Sequence, residues 1–310
     1  MDIYLLGPLY MGWALGTNHV ANIFGTAVSS FMVRYRTAVL LAAVFVLLGA
    51  LYGGRAGIET LSGLTSQTGN TAFIISVAAG MSVTLMTILK LPVSTSEGVI
   101  GAILGIGLVN RHIQPGLLTK VFICWVTTPL GASLISIILY IILSRIIRKK
   151  ELHFLVYDRL MRNLLILSGI YGAYALGANN VANVTGVFYK SGLLNINQTL
   201  LIGGVSIGLG ALTANKGVIY TIGRRIIPVD AFSAFIAVLA HSITLHIYAH
   251  IGVPVSSSHA IVGAVFGIGL IKGIKTVNKK TLLKILSGWF LTPFISMSFC
   301  LILYFIKSKL

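Results

Sequence analysis

Acidic residues are scarce in this 310-residue chain: six Asp and Glu stand against 23 Lys and Arg. Charged residues of both signs make up only 9% of it, whereas a water-soluble domain carries roughly 25%. Too little polar side chain is present to cover a water-facing globule, so a soluble enzyme and a disordered chain are excluded. Only two cysteines occur, Cys124 and Cys300, both inside apolar runs. That excludes a disulfide scaffold. The start, Met1-Asp2, has no basic segment, so no cleaved signal peptide is expected.

Apolar residues make up 56% of the chain, and the mean hydropathy is +0.94. A membrane span needs about 20 apolar residues. Ten apolar segments are read, at 3–32, 37–53, 71–89, 92–109, 121–143, 164–189, 198–214, 231–251, 254–271 and 285–306. The net charge of +17 does not indicate nucleic acid, because Lys and Arg fall between the apolar runs and not on one domain. Their distribution sets an orientation. Seventeen lie on one side: Arg34, Arg36, Lys90, Lys216, Arg224, Arg225, six within 145–162 and five within 272–284. Six lie on the other: Arg55, Arg111, Lys120, Lys190, Lys307 and Lys309. The richer side is expected to be cytoplasmic, which puts a multi-pass protein in the cell membrane with both termini outside. If 71–109 is a re-entrant hairpin and not two crossings, every other loop keeps its side.

The chain repeats itself. Gly16-Thr17-Asn18-His19-Val20-Ala21-Asn22 returns as Gly177-Ala178-Asn179-Asn180-Val181-Ala182-Asn183. Leu91-Pro92-Val93-Ser94-Thr95-Ser96-Glu97 returns as Val253-Pro254-Val255-Ser256-Ser257-Ser258-His259. Trp125 and Pro129 return as Trp289 and Pro293, and the offset stays between 161 and 164 positions throughout. Each half holds five segments, an odd number, so the second half enters the membrane from the opposite face. The expected fold is an all-α polytopic membrane protein of two inverted repeats with Pro-broken helical hairpins. The expected division is a first repeat at 1–144, a cytoplasmic linker at 145–163 and a second repeat at 164–310.

The repeated motifs carry the chemistry. Asn18 lies about 15 residues into its segment, roughly 22 Å along a helix and near mid-bilayer. Asn18 and Asn22, like Asn179 and Asn183, are four residues apart and share a helix face. Amides at that depth need partners: interhelical bonds on one reading, a ligand on the other. Pro92 and Pro254 interrupt apolar runs and are followed by Ser94, Thr95, Ser96 and by Ser256, Ser257, Ser258. Proline followed by hydroxyl residues starts a helix, and a helix start inside the membrane offers free N–H groups to an anion. Capping alone is the simpler account, since Ser94 with Glu97 has the spacing of a capping box. Glu97, its counterpart His259, and His19 are ionisable groups at membrane depth and candidates for handling a coupling ion. His241, His246 and His250 do not share one helix face well, so no metal site is assigned.

The paired Gly-x-Asn-x-Val-Ala-Asn motifs, each followed by Pro-Val-Ser-[Thr/Ser]-Ser-[Glu/His], resemble the inorganic phosphate transporter (PiT) family. Gly49-Ala50 with Glu59-Thr60, and Gly210-Ala211 with Thr221-Ile222, fit its second-helix pattern. The resemblance spans nearly the whole chain. It implies a secondary transporter, often a homodimer, that carries phosphate with Na⁺ or H⁺ and needs no cofactor. It implies an anion site at Asn18, Asn22, Asn179, Asn183, Ser94, Thr95, Ser96, Ser256, Ser257 and Ser258. His19, Glu97, Asn180 and His259 then fall at coupling-ion positions. The chain departs from the family where His19 and Asn180 replace the usual Asp, and where Glu97 replaces a common His. Loss of two carboxylates disfavours a hard cation and shifts the expectation toward H⁺. Sulfate remains the alternative substrate. An intramembrane hydrolase, or a purely structural subunit, is less favoured, because neither needs two mirrored hydroxyl clusters.

Overall fold

The computed structural model describes residues 2–111, 113–151, 153–222, 230–273 and 278–309. Arg224, Arg225 and Lys275, used above to orient the chain, lie outside the described residues. Twelve helices are found among those described: α1 (Asp2–Ser29), α2 (Tyr35–Gly53), α3 (Arg55–Ser62), α4 (Gly69–Ile88), α5 (Thr95–Asn110), α6 (Pro115–Arg148), α7 (Phe154–Lys190), α8 (Ile196–Leu212), α9 (Lys216–Tyr220), α10 (Ala231–Ile251), α11 (Ser257–Lys272) and α12 (Lys279–Ser308). Ten of them take up the ten apolar segments, and α3 and α9 are short connectors. Six helices, α2, α4, α6, α7, α10 and α12, are long and apolar enough to cross a bilayer. The 28-residue α1 is not among these, since it carries Asn18, His19 and Asn22.

Most of the charged stretch 145–163 is helical. α6 runs through Arg148 and α7 begins at Phe154, leaving a short break. A helix of 34 residues is about 51 Å long, well beyond a hydrocarbon core of about 30 Å. Its charged end therefore projects beyond the apolar layer.

The third and fourth segments of each repeat fold back as hairpins, α4–α5 and α10–α11. Their tips do not reach the far side. Residues 92–97 and 252–259 are buried, and Ser258 Oγ donates to the Val93 carbonyl at 2.6 Å. The two hairpins thus enter from opposite ends and meet in the middle. Tyr4 Oη and Lys307 Nζ both donate to Asn70 Oδ1, so α1, α4 and α12 begin or end at one face of the molecule. Asp230 and Lys272 pair at the other face, beside Tyr157 at the start of α7. Burial alone would push the Asp230 carboxyl up. The bonds it accepts from Lys272 and Ser233 outweigh that and hold it below the usual carboxylate range.

The repeats interlock instead of sitting side by side. α1 packs on α8 and α7 on α2, so the first helix of each repeat lies against the second helix of the other. Glycine permits this contact: a Cβ at Gly49 would collide with the Tyr174 carbonyl, and one at Gly210 with the Trp13 carbonyl. The hairpin helices exchange in the same way. α5 packs on α12 and α11 on α6, with Gly101 against the Pro293 carbonyl and Gly263 against the Pro129 carbonyl.

Candidate functional site

The two Asn motifs and both hairpin tips converge at the centre of the molecule, but the four amides do different work. Asn18 Nδ2 donates to Thr87 Oγ1 at 2.9 Å and to the Leu91 carbonyl at 3.0 Å, while its Oδ1 accepts from Val93 N at 3.2 Å. Asn179 Nδ2 donates to the Val255 carbonyl at 2.8 Å and its Oδ1 accepts from Val255 N at 3.2 Å. Each therefore clamps the tip of its own repeat's hairpin through backbone that the proline leaves without helical partners. Asn22 instead reaches across. Its Nδ2 donates to Ser257 Oγ at 3.0 Å and Ser258 Oγ at 3.1 Å, on the hairpin of the other repeat.

The hydroxyls also divide. Ser94 and Ser256 are N-caps: each Oγ accepts from the backbone N–H three residues on, of Glu97 and of His259. Thr95 Oγ1 donates to Asn180 Oδ1 at 3.3 Å and lies 3.2 Å from His19 Nε2. Ser257 Oγ lies 2.9 Å from His241 Nε2. Ser96 Oγ is fully buried and has no protein partner. His241, on α10, weighed from sequence only as a metal ligand and set aside, joins the site. Its contact to Ser257 spans the hairpin, and it has no histidine at the matching place in the first repeat.

This network fixes the orientation of several groups. Ser258 gives its proton to Val93, so it can only accept from Asn22. The Asn22 amide nitrogen faces the serines and its Oδ1 is left over. Asn180 Nδ2 donates to the Leu176 carbonyl, so its Oδ1 accepts from Asn183 Nδ2 at 3.0 Å, leaving Asn183 Oδ1 over as well. Thr95 gives its proton to Asn180, so it accepts from His19 Nε2–H, and His19 Nδ1 keeps a bare lone pair. Asn22 Oδ1, Asn183 Oδ1 and His19 Nδ1 are all buried without a protein partner. Asn22 and Asn183 are corresponding positions of the two repeats. The centre thus presents acceptors related by the pseudo-symmetry.

Glu97 and His259 meet one helical turn behind the tips. Glu97 Oε1 and His259 Nε2 are 2.9 Å apart, an ion-pair contact not aligned as a hydrogen bond, and both side chains are buried. His259 Nδ1 lies 3.4 Å from the Trp125 carbonyl oxygen, and the ring packs on Trp289. A cavity of about 490 Å³ opens beside the pair, lined mostly by aromatic and aliphatic side chains of α6 and α12. Among the described residues no cluster of three or more His, Cys, Asp or Glu could hold a metal ion.

A sequence profile described as the phosphate transporter family matches residues 15–157 and again 153–300. The chain belongs to the phosphate transporter family. It is 32% identical to a protein of Methanocaldococcus jannaschii named as a phosphate permease, over 96% of this chain and 94% of the relative. It is 28% identical to the sulfate permease CysP of Bacillus subtilis, over 98% of this chain and 88% of the relative. A solved structure described as a sodium-dependent phosphate transporter superposes with a TM-score of 0.89. It covers 100% of this chain and 99% of its own, at 22% identity. The family's fold, two inverted repeats of membrane helices, is the fold described above.

Proposed function

We propose that this member of the phosphate transporter family is a secondary symporter that carries inorganic phosphate with a proton. The observation that carries the proposal is the meeting of two hydroxyl-bearing tips, entering from opposite faces, on buried polar groups at mid-depth. A site at the junction of inverted repeats is reachable from either face by rocking one element against another.

The unpartnered acceptors favour phosphate over sulfate. Near neutral pH phosphate retains at least one P–OH, which can donate to Asn22 Oδ1, Asn183 Oδ1 or His19 Nδ1. Sulfate has no proton to give and would leave these buried acceptors unpaired. Sites built around a hydroxyl reject analogues lacking it, because the site's own polar groups are then stranded. Ser96, Ser257 and the N–H groups at the starts of α5 and α11 supply donors to the remaining oxygens, while Thr95 links His19 to Asn180. Asn18 and Asn179 act by holding those tips in place, and Ser94 and Ser256 by starting the helices.

The coupling proton belongs with the groups that replace the family's carboxylates. His19 Nδ1 is buried without a protein partner, with Asn180 bonded beside it through Thr95. Glu97 and His259 form a second titratable pair behind the tips. Na⁺ is the second reading: the two amide oxygens are hard donors, and the superposed relative is described as sodium-dependent. The protein is proposed to sit in the cell membrane, as a homodimer, with both termini outside.

Radiolabelled uptake into proteoliposomes tests this. Phosphate should accumulate down an imposed pH gradient without Na⁺, with sulfate a weak competitor. Uptake that requires a Na⁺ gradient and ignores pH refutes the proton. Preferential sulfate uptake refutes the substrate, and transport of neither anion refutes the symporter.

A further inference from the structure

The two hairpin turns share one geometry but not one residue. At the first tip Lys90 N donates to the Thr87 carbonyl at 3.0 Å and Leu91 N to the Met86 carbonyl at 3.0 Å. At the second Gly252 N donates to the Ala249 carbonyl and Val253 N to the Tyr248 carbonyl, both at 3.2 Å. The turn needs a left-handed residue. Gly252 supplies it with φ +76°, Lys90 with φ +60°. Glycine adopts that region freely, whereas a lysine there is strained. A strained residue held where the other repeat uses glycine points to a side chain kept for its function.

The placement of Lys90 supplies that function. Its neighbour Leu91 accepts from Asn18, so Lys90 lies at the depth of the central site. Lys90 is exposed, while residues 92–97 beside it and Gly252 at the opposite tip are buried. Its stem crosses Gly217 at the start of α9, where a Cβ would come within 2.8 Å of Lys90 Cγ. Thr221 Oγ1 donates to the Lys90 carbonyl at 2.9 Å, tying the tip to the end of α9. Among the described residues Lys90 has no ion-pair partner. An unpaired ammonium at hydrocarbon depth requires water. A hydrated entrance therefore reaches the first tip along α9.

We propose that the Lys90 ammonium is an anion-binding subsite at the foot of this entrance, taking an inorganic oxyanion such as phosphate between bulk water and the central site. The proposal rests on the transporter reading. The second tip, with Gly252, has no such group, so the subsite acts on one face only.

The test replaces the charge and then restores it chemically. Lys90→Cys is treated with water-soluble aminoethyl or sulfonatoethyl thiosulfonate, the native Cys124 and Cys300 being buried. Lys90→Cys should raise the KM for phosphate by about 2- to 5-fold, the worth of one hydrated ion pair. The aminoethyl adduct should recover most of this, and the sulfonatoethyl adduct should raise KM further. Lys90→Gly should raise KM similarly while melting no lower than the parent, because glycine suits the turn. Phosphate should slow the thiol's reaction with the sulfonate reagent, a readout that needs no transport. Adducts of opposite charge with the same KM, an unreactive thiol, or no protection by phosphate would each overturn the subsite. If the parent carries neither phosphate nor sulfate, the transporter reading fails while the protection assay still decides the subsite.

Discussion

Replacing Asn18 with alanine separates an amide that builds the site from one that binds the cargo. Asn18 makes three hydrogen bonds, to Thr87 Oγ1, to the Leu91 carbonyl and from Val93 N, at 2.9, 3.0 and 3.2 Å. Thr87 keeps its bond to the Val83 carbonyl. The Leu91 carbonyl and the Val93 N–H lose their side-chain partner at a buried tip. An unsatisfied buried backbone group costs about 1–3 kcal/mol, while side-chain bonds between membrane helices average nearer 0.6 kcal/mol. Together these give a loss of about 2–4 kcal/mol for Asn18→Ala. At about 2–4 °C per kcal/mol, the melting midpoint in detergent should fall by roughly 5–10 °C. Asn22→Ala removes an amide whose partners keep other bonds, Ser258 to Val93 and Ser257 to His241. Its midpoint should move by less than about 3 °C, while the KM for phosphate rises. Melting by intrinsic fluorescence and KM from vesicle uptake are measured on the same preparations. If Asn18→Ala melts like the parent and loses only affinity, Asn18 contacts the anion directly and the division of labour drawn here is wrong. If Asn22→Ala melts as low as Asn18→Ala, Asn22 is structural as well.

Ser96→Ala and Ser257→Ala should each weaken phosphate affinity by roughly 10- to 150-fold, the worth of one donor to a charged ligand, without lowering expression. Unchanged affinity in both would move the site elsewhere. Glu97→Gln should retain phosphate binding but lose the response of uptake to an imposed pH gradient, and a parent-like response would remove Glu97 from the coupling. Gly101→Val should abolish folded protein, since its Cβ would enter the Pro293 carbonyl, and a monodisperse variant would contradict the exchanged packing of α5 and α12. A cysteine placed at Lys307 should be labelled by a membrane-impermeant reagent from outside intact cells and one at Lys149 should not; the reverse pattern would invert the orientation.

The sequence by itself determined the class, the duplication and the motifs. Membrane helices announce themselves because hydrocarbon demands long apolar runs, which are local. A duplicated half is visible because corresponding residues keep one offset. The proline-hydroxyl tips and the Asn pairs were legible for the same reason, since each lies within a few consecutive positions. The tertiary structure alone decided which polar group does what. Asn18 and Asn22 look equivalent in a helix, four residues apart, yet one clamps its own hairpin and the other reaches across to Ser257 and Ser258. His241 joins the site only through its contact with Ser257, and Glu97 meets His259 only because α5 and α11, from opposite repeats, start close together. The reason is physical. The partners of Asn18 and Asn22 lie from 69 to 236 positions away, so the exchanged helix packing, built on close backbone contacts at Gly49, Gly101, Gly210 and Gly263, chooses them and no local pattern records the choice.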